Sequence, residues 1–142
     1  MQERPLVPRL RATYAEIRAR IRPGTRVVVV GYPRIFPRNP GRENSRCRNF
    51  VFFRLRAREQ AAANRLSDRL NEVIAGAARA AGFRYLNTIP LFDGHDACSS
   101  HPYLHAYIRP RRHDPTKVIG SFHPNRAGHR AEATALSRLL GG

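Results

Sequence analysis

Histidine is the side chain whose proton equilibrium lies nearest neutral pH. The stretch GSFHPNRAGH at 120–129 sets one, His123, between a loop and an Ala/Leu-rich segment. Pro124 follows it directly. A histidine placed this way has the chemistry of a general base; the plain alternative is an ordinary loop hydrogen bond. His101 and His105 are four apart in HPYLH, a spacing that on a helix presents both rings to one zinc ion. Pro102 argues against a regular helix there, and no Glu follows His101 as the zinc-protease pattern requires, so no metal is expected. DGHD at 93–96 offers carboxylates beside His95, but Phe92 and Gly94 mark it as a structural turn. NFVFF at 49–53 reads either as an exposed lip for an acyl chain or, more commonly, as core packing under a loop. Cys47 and Cys98 fit no zinc spacing.

These side chains need elements to position them. Leu6, Leu10, Tyr14, Ile17 and Ile21 recur at steps of three and four, predicting a helix over 6–21 that Pro23 and Gly24 stop. RVVVVGY at 26–32 is a continuous β-branched run, the pattern of a parallel strand buried on both faces. Residues 33–49 read as a long loop and FVFFRL at 50–55 as an apolar lead into a helix over about 56–81. Leu66, Leu70, Val73, Ile74, Ala77 and Ala81 form its stripe, and Gly82 ends it. FRYLNTI at 83–89 reads as a second strand, 90–122 as a second long loop, and 125–140 as a last helix burying Ala135, Leu136, Leu139 and Leu140. Strand, crossover helix and strand make a right-handed parallel unit. The order is α-β-α-β-α, an α/β chain with parallel strands in a single domain over 1–142. Two central-type strands leave apolar edges uncovered, so the domain reads as incomplete. With parallel neighbouring strands, the loops holding Cys47 and Cys98 emerge at one end of the sheet. A bridge between them is then favoured over two free thiols. It would close about 50 residues and contribute roughly 4 kcal/mol.

Composition sets the remaining bounds. Hydrophobic residues make up 42%, enough for a core. The net charge is +16 and the pI about 11.6, carried almost wholly by Arg, with Lys117 the one lysine. Such a surface attracts polyanions without sequence preference, and a small basic nucleic-acid-binding protein is the alternative reading. It rests on charge alone, since no reader motif accompanies the arginines. No stretch approaches the roughly 20 apolar residues of a membrane span. The first residues lack the apolar core of a signal peptide, so a chain starting at Met1 is expected to be cytoplasmic.

Four segments resemble one family, the SGNH/GDSL serine ester hydrolases of the secreted actinobacterial type. VVVVGYPRIFP (27–37) is similar to their strand ending in Gly-Tyr-Pro, and RLSDRLNEVIAGAARAAGFRYLNT (65–88) to the following helix and strand. FDGHDAC (92–98) resembles their Phe-x-Gly-His-(Glu/Asp)-x-Cys segment, and SFHPNRAGH (121–129) their final Ser-(Phe/Tyr)-His-Pro-x-x-x-Gly block. The resemblance covers nearly the whole chain but only the C-terminal half of the family domain. It implies a partial three-layer α/β/α fold and hydrolysis of lipid, acyl or acetyl esters without a cofactor. It makes His123 the catalytic base, with the carbonyl of Gly120 or Ser121 orienting the ring, since many relatives carry Asp where Gly120 stands. It sets Tyr32 and Pro33 against the acyl group, pairs Cys47 with Cys98, and implies a secreted protein. The nucleophile block is missing: the sequence contains no Gly-Asp-Ser, and Ser45, Ser67, Ser99, Ser100, Ser121 and Ser137 match no nucleophile position. An isolated chain with a base and no nucleophile is expected to be inactive.

Overall fold

A computed structural model describes residues 6–40, 55–108 and 112–141. In chain order the elements are α1 (Leu6–Arg20), β1 (Val28–Val30), α2 (Ala57–Ala80), β2 (Arg84–Leu86), the short α3 (Ile89–Phe92), a 3-10 turn (Pro115–Gly120) and α4 (Arg126–Gly141). NFVFF and Cys47 lie outside the described residues. β1 and β2 pair in parallel, with Val28 opposite Arg84, Val29 opposite Tyr85 and Val30 opposite Leu86. Flanking bonds extend the ladder: Arg84 N–H donates to Val27 O and Gly31 N–H to Leu86 O, both at 2.9 Å.

Side chains alternate across a strand, and the two faces of this sheet are covered by different helices. Val27, Val29 and Tyr85 pack with α1 and α2 around Tyr14, Ala77, Ala78 and Phe83. The opposite face meets the end of α4. Arg26 and Arg84 donate from it to the carbonyls of Leu140 and Leu139. Those carbonyls belong to the last turn, where a helix has no partners of its own and where cations are favoured. Arg18 closes α2 in the same way, donating to Ala81 O and Gly82 O while its guanidinium lies 4.6 Å over the Phe83 ring.

Several expectations need correction. The strands are three residues long, not seven, and β1 is not buried on both faces: Val30 is 38% exposed. Its outer edge has no neighbouring strand among the described residues, and α4 covers the second face only in part. Leu136, Leu139 and Leu140 are accordingly half-buried, and Leu66 of α2 is exposed. Ile89 does not continue β2. Pro90 falls in the first turn of α3, where its fixed φ suits a helix start, and Asn87 Oδ1 accepts the Ile89 N–H. The segment 90–122 is not one loop, since it holds most of α3 and the 3-10 turn.

Candidate active site

The carboxyl ends of parallel strands are where sites form in open α/β sheets. At the end of β1, Gly31 has no room for a side chain: a Cβ there would lie 2.2 Å from Tyr85 Oη. Tyr32 follows, 58% exposed, with Pro33 half-buried beside it. Their backbone is held by α2. Asn71 is 5% exposed; its Oδ1 accepts the Tyr32 N–H at 2.8 Å and its Nδ2 donates to Tyr32 O at 2.7 Å. Tyr85 Oη–H donates to the same Oδ1. One turn earlier, Arg34 makes a two-pronged pair with Asp68 at 2.7 and 2.8 Å. Another turn back, Asn64 exchanges bonds with the Phe36 backbone and also donates to Pro37 O. Gln60 begins the row, donating to Leu55 O. Asn64, Asp68 and Asn71, at steps of four and three, thus pin the segment after β1 group by group. The sequence reading followed the apolar stripe of α2 and missed this row. Its signal was available as amides and a carboxylate at helical spacing on one face.

The segment after β2 folds back against the same end. Ala97 N–H donates to Ile35 O at 3.0 Å, and Ile35 packs against Phe92, Ala97 and Leu104. Asp96 is 7% exposed and accepts the Cys98 N–H at 2.9 Å; burial raises its pKa above the usual carboxylate value, opposed by that backbone bond. Cys98 is fully buried. His95 stacks on Tyr103, ring centres 3.8 Å apart, and its Nδ1–H donates to His101 O. His101 Nδ1 meets Ser100 Oγ at 3.0 Å. Among the described residues no group of three His, Cys, Asp or Glu side chains is placed to hold a metal ion.

His123 is reached through a short antiparallel contact. His105 N–H donates to His123 O, Phe122 N–H to His105 O, and Leu104 bridges Pro124. Phe122 has a φ of 63° and packs against Phe92, Ala97 and Leu104. After Pro124, Asn125 caps α4: its Oδ1 accepts the N–H groups of Ala127 and Gly128, a standard cap for a helix start. Its Nδ2 donates to Pro102 O. A Cβ at Gly128 would stand 2.3 Å from Tyr103 O, so only glycine lets the first turn seat this closely. The imidazole is exposed, and its Nδ1–H donates to Ser121 O at 3.1 Å. Gly120 O accepts the backbone N–H of His123 instead. Nδ1 therefore holds the proton, and Nε2 carries the free lone pair. His129 is exposed on α4, its Nδ1 3.4 Å from Glu132.

Gly120, Ser121 and His123 thus form one bonded group. Among the described residues no hydrogen bond joins it to Tyr32 or Pro33. The two regions share the cluster around Phe92, against which both Ile35 and Phe122 pack.

Two parallel strands packed between helices, with a histidine at the mouth of the last helix, make part of a layered α/β fold. The GDSL-like lipase/acylhydrolase family model matches residues 1–131. The chain belongs to that family. It is 33% identical over 106 residues to Lipase 1 of Streptomyces coelicolor and 31% identical over 106 residues to a lipase of Streptomyces rimosus. Each match covers 75% of this chain and 34% of the relative. The structure superposes on the extracellular lipase of S. rimosus with a TM-score of 0.70 and 29% identity, covering 92% of this chain and 50% of that one. Phospholipase A1 of Streptomyces albidoflavus gives a TM-score of 0.74 and 30% identity, at 94% and 50%. The chain thus spans about a third of the curated relatives and half of the solved ones.

Proposed function

We propose that these residues supply the histidine part of a Ser-His ester hydrolase acting on lipid, acyl or acetyl esters. The observation that carries this is the set of His123: Nδ1 donating to the Ser121 carbonyl, Nε2 open. A ring oriented by an acceptor on one nitrogen is ready to take a hydroxyl proton on the other and return it to the leaving alcohol. A neutral carbonyl stabilises the imidazolium less than a carboxylate would. Tyr32 and Pro33, at the end of β1, line the acyl side. The serine and most of the oxyanion hole belong to the half of the family domain that these 142 residues do not match, so the domain over 1–142 is incomplete. Cys98 pairs with Cys47, which suits the oxidising medium of an exported protein. No described helix is long and apolar enough to cross a membrane. Binding of polyanions follows from the net charge of +16.

Hydrolysis of p-nitrophenyl butyrate by the 142-residue chain is expected to equal that of its His123→Ala variant. Turnover above that control would overturn the reading that the serine lies outside these residues, since it would require a nucleophile within the chain.

A further inference from the structure

α4 carries a second feature, away from His123. Arg126, Arg130 and Arg138 stand at steps of four and eight along it and border an open groove. The rest of the lining is mainly apolar: Ala127, Ala131 and Ala135 from the helix, Leu91 and Tyr103 from the segment after β2, and Thr134, whose hydroxyl is turned to Arg130 O. No carboxylate lines the groove, and none of these three guanidiniums meets one among the described residues. Glu132, the acidic residue of α4, faces His129 instead. Arg126 is also in the first helical turn, which has no acidic residue and where the helix dipole disfavours a cation. Three positive charges with no carboxylate partner among the described residues, over a mainly apolar trough, suit a ligand with anionic heads and apolar bodies.

We propose that this groove is a docking surface for anionic lipid aggregates, the arginines on the headgroups and the alanine trough against the acyl region. Two arguments select that occupant. From Arg126 to Arg138 the helix rises about 18 Å, too far for one phosphate to bridge but suited to a continuous layer of headgroups. A nucleic-acid backbone offers nothing to an aliphatic floor, and Tyr103, the one aromatic there, already has a face covered by His95 and its ring against Phe92. The proposal concerns binding and does not depend on the chain being catalytic.

Co-sedimentation of the 142-residue chain with vesicles tests it. Binding is expected to phosphatidylcholine vesicles containing phosphatidylglycerol and to be much weaker to phosphatidylcholine alone. Replacing Arg126, Arg130 and Arg138 together by Gln should weaken partitioning about 100-fold, from roughly tenfold or less per arginine at an anionic surface. Replacing Arg9, Arg58 and Arg65 by Gln removes the same charge from exposed positions on α1 and α2 and should change it far less. Ala131→Asp, which adds a carboxylate to the floor, should also release the chain, with circular dichroism confirming the fold. Equal losses from both arginine sets would overturn the proposal, leaving only general charge attraction. So would a DNA duplex that binds more tightly than the vesicles and loses affinity with the α4 set.

Discussion

Phe122 and Asp96 are two residues held in costly states by their surroundings. A bulky side chain at φ 63° costs on the order of 1 kcal/mol or more. That strain is held by the packing of its ring against Phe92 and Leu104, and it falls immediately before His123. Asp96 carries a different cost. Burial raises its pKa, so the folded chain binds its proton more tightly than the unfolded chain does. Stability from this group is then greatest below the unfolded value of about 3.9 and is lost as pH rises through the higher folded value. Asp96→Asn keeps the oxygen that accepts the Cys98 N–H and removes the titration. The melting temperature of the wild type relative to Asp96→Asn should fall between pH 4 and pH 7. A constant difference across that range would show that Asp96 is not perturbed in this sense. The position of His123 before the last helix was readable from the sequence, because a His-Pro pair ahead of an Ala/Leu-rich segment is a side-chain signal. Whether Gly120 or Ser121 supplies the carbonyl was not readable, since backbone groups have no residue identity and only the local turn decides which one faces Nδ1.

At the level of elements, α2 serves the site more than its apolar stripe implies. Asn71 satisfies both backbone groups of Tyr32 and the hydroxyl of Tyr85. Asn71→Ala would leave those groups unpaired in a partly buried setting, and about 2 kcal/mol of stability should go with them. Chemical denaturation measures this; a loss below about 0.5 kcal/mol would mean water replaces the amide. The helices were legible because period-3.6 burial shows in residue type: Tyr14 and Ala77 on facing helices meet as the stripes require. β2 and α3 were not separable, because FRYLNTIPLF is apolar in both and only Pro90 marks the change. The amide row was overlooked for a related reason. Asn on a helix usually means surface, and its burial here depends on a loop that arrives from elsewhere in the chain.

For the molecule as a whole, the two long connections after the strands are tied to one end of the sheet. Ile35 enters the cluster around Phe92, and Phe36 packs on Cys98. A Cys47–Cys98 bridge would fasten the same junction covalently. Titration of the denatured, unreduced chain should find no thiol and the reduced chain two, with a reduced protein less stable by roughly 4 kcal/mol. Two thiols before reduction would exclude the bridge. The sequence conveyed the parallel α/β plan because a β-branched run, a long amphipathic helix and a second run can connect in few ways. It overstated burial, because a strand's composition is suited to its neighbours in a whole sheet, and among the described residues β1 has β2 alone beside it.

The row of Asn64, Asp68 and Asn71 also acts as a ruler of helical phase. Each grips a different residue of the segment 32–37, so α2 and that segment must advance in step. One residue inserted between Asp68 and Asn71 would turn everything beyond it by about 100°, swinging Asn71 away from Tyr32 while Asn64 and Asp68 keep hold of Phe36 and Arg34. Drift in length along this helix is therefore restricted far more tightly than its many alanines imply, and change should be easier by substitution than by insertion or deletion.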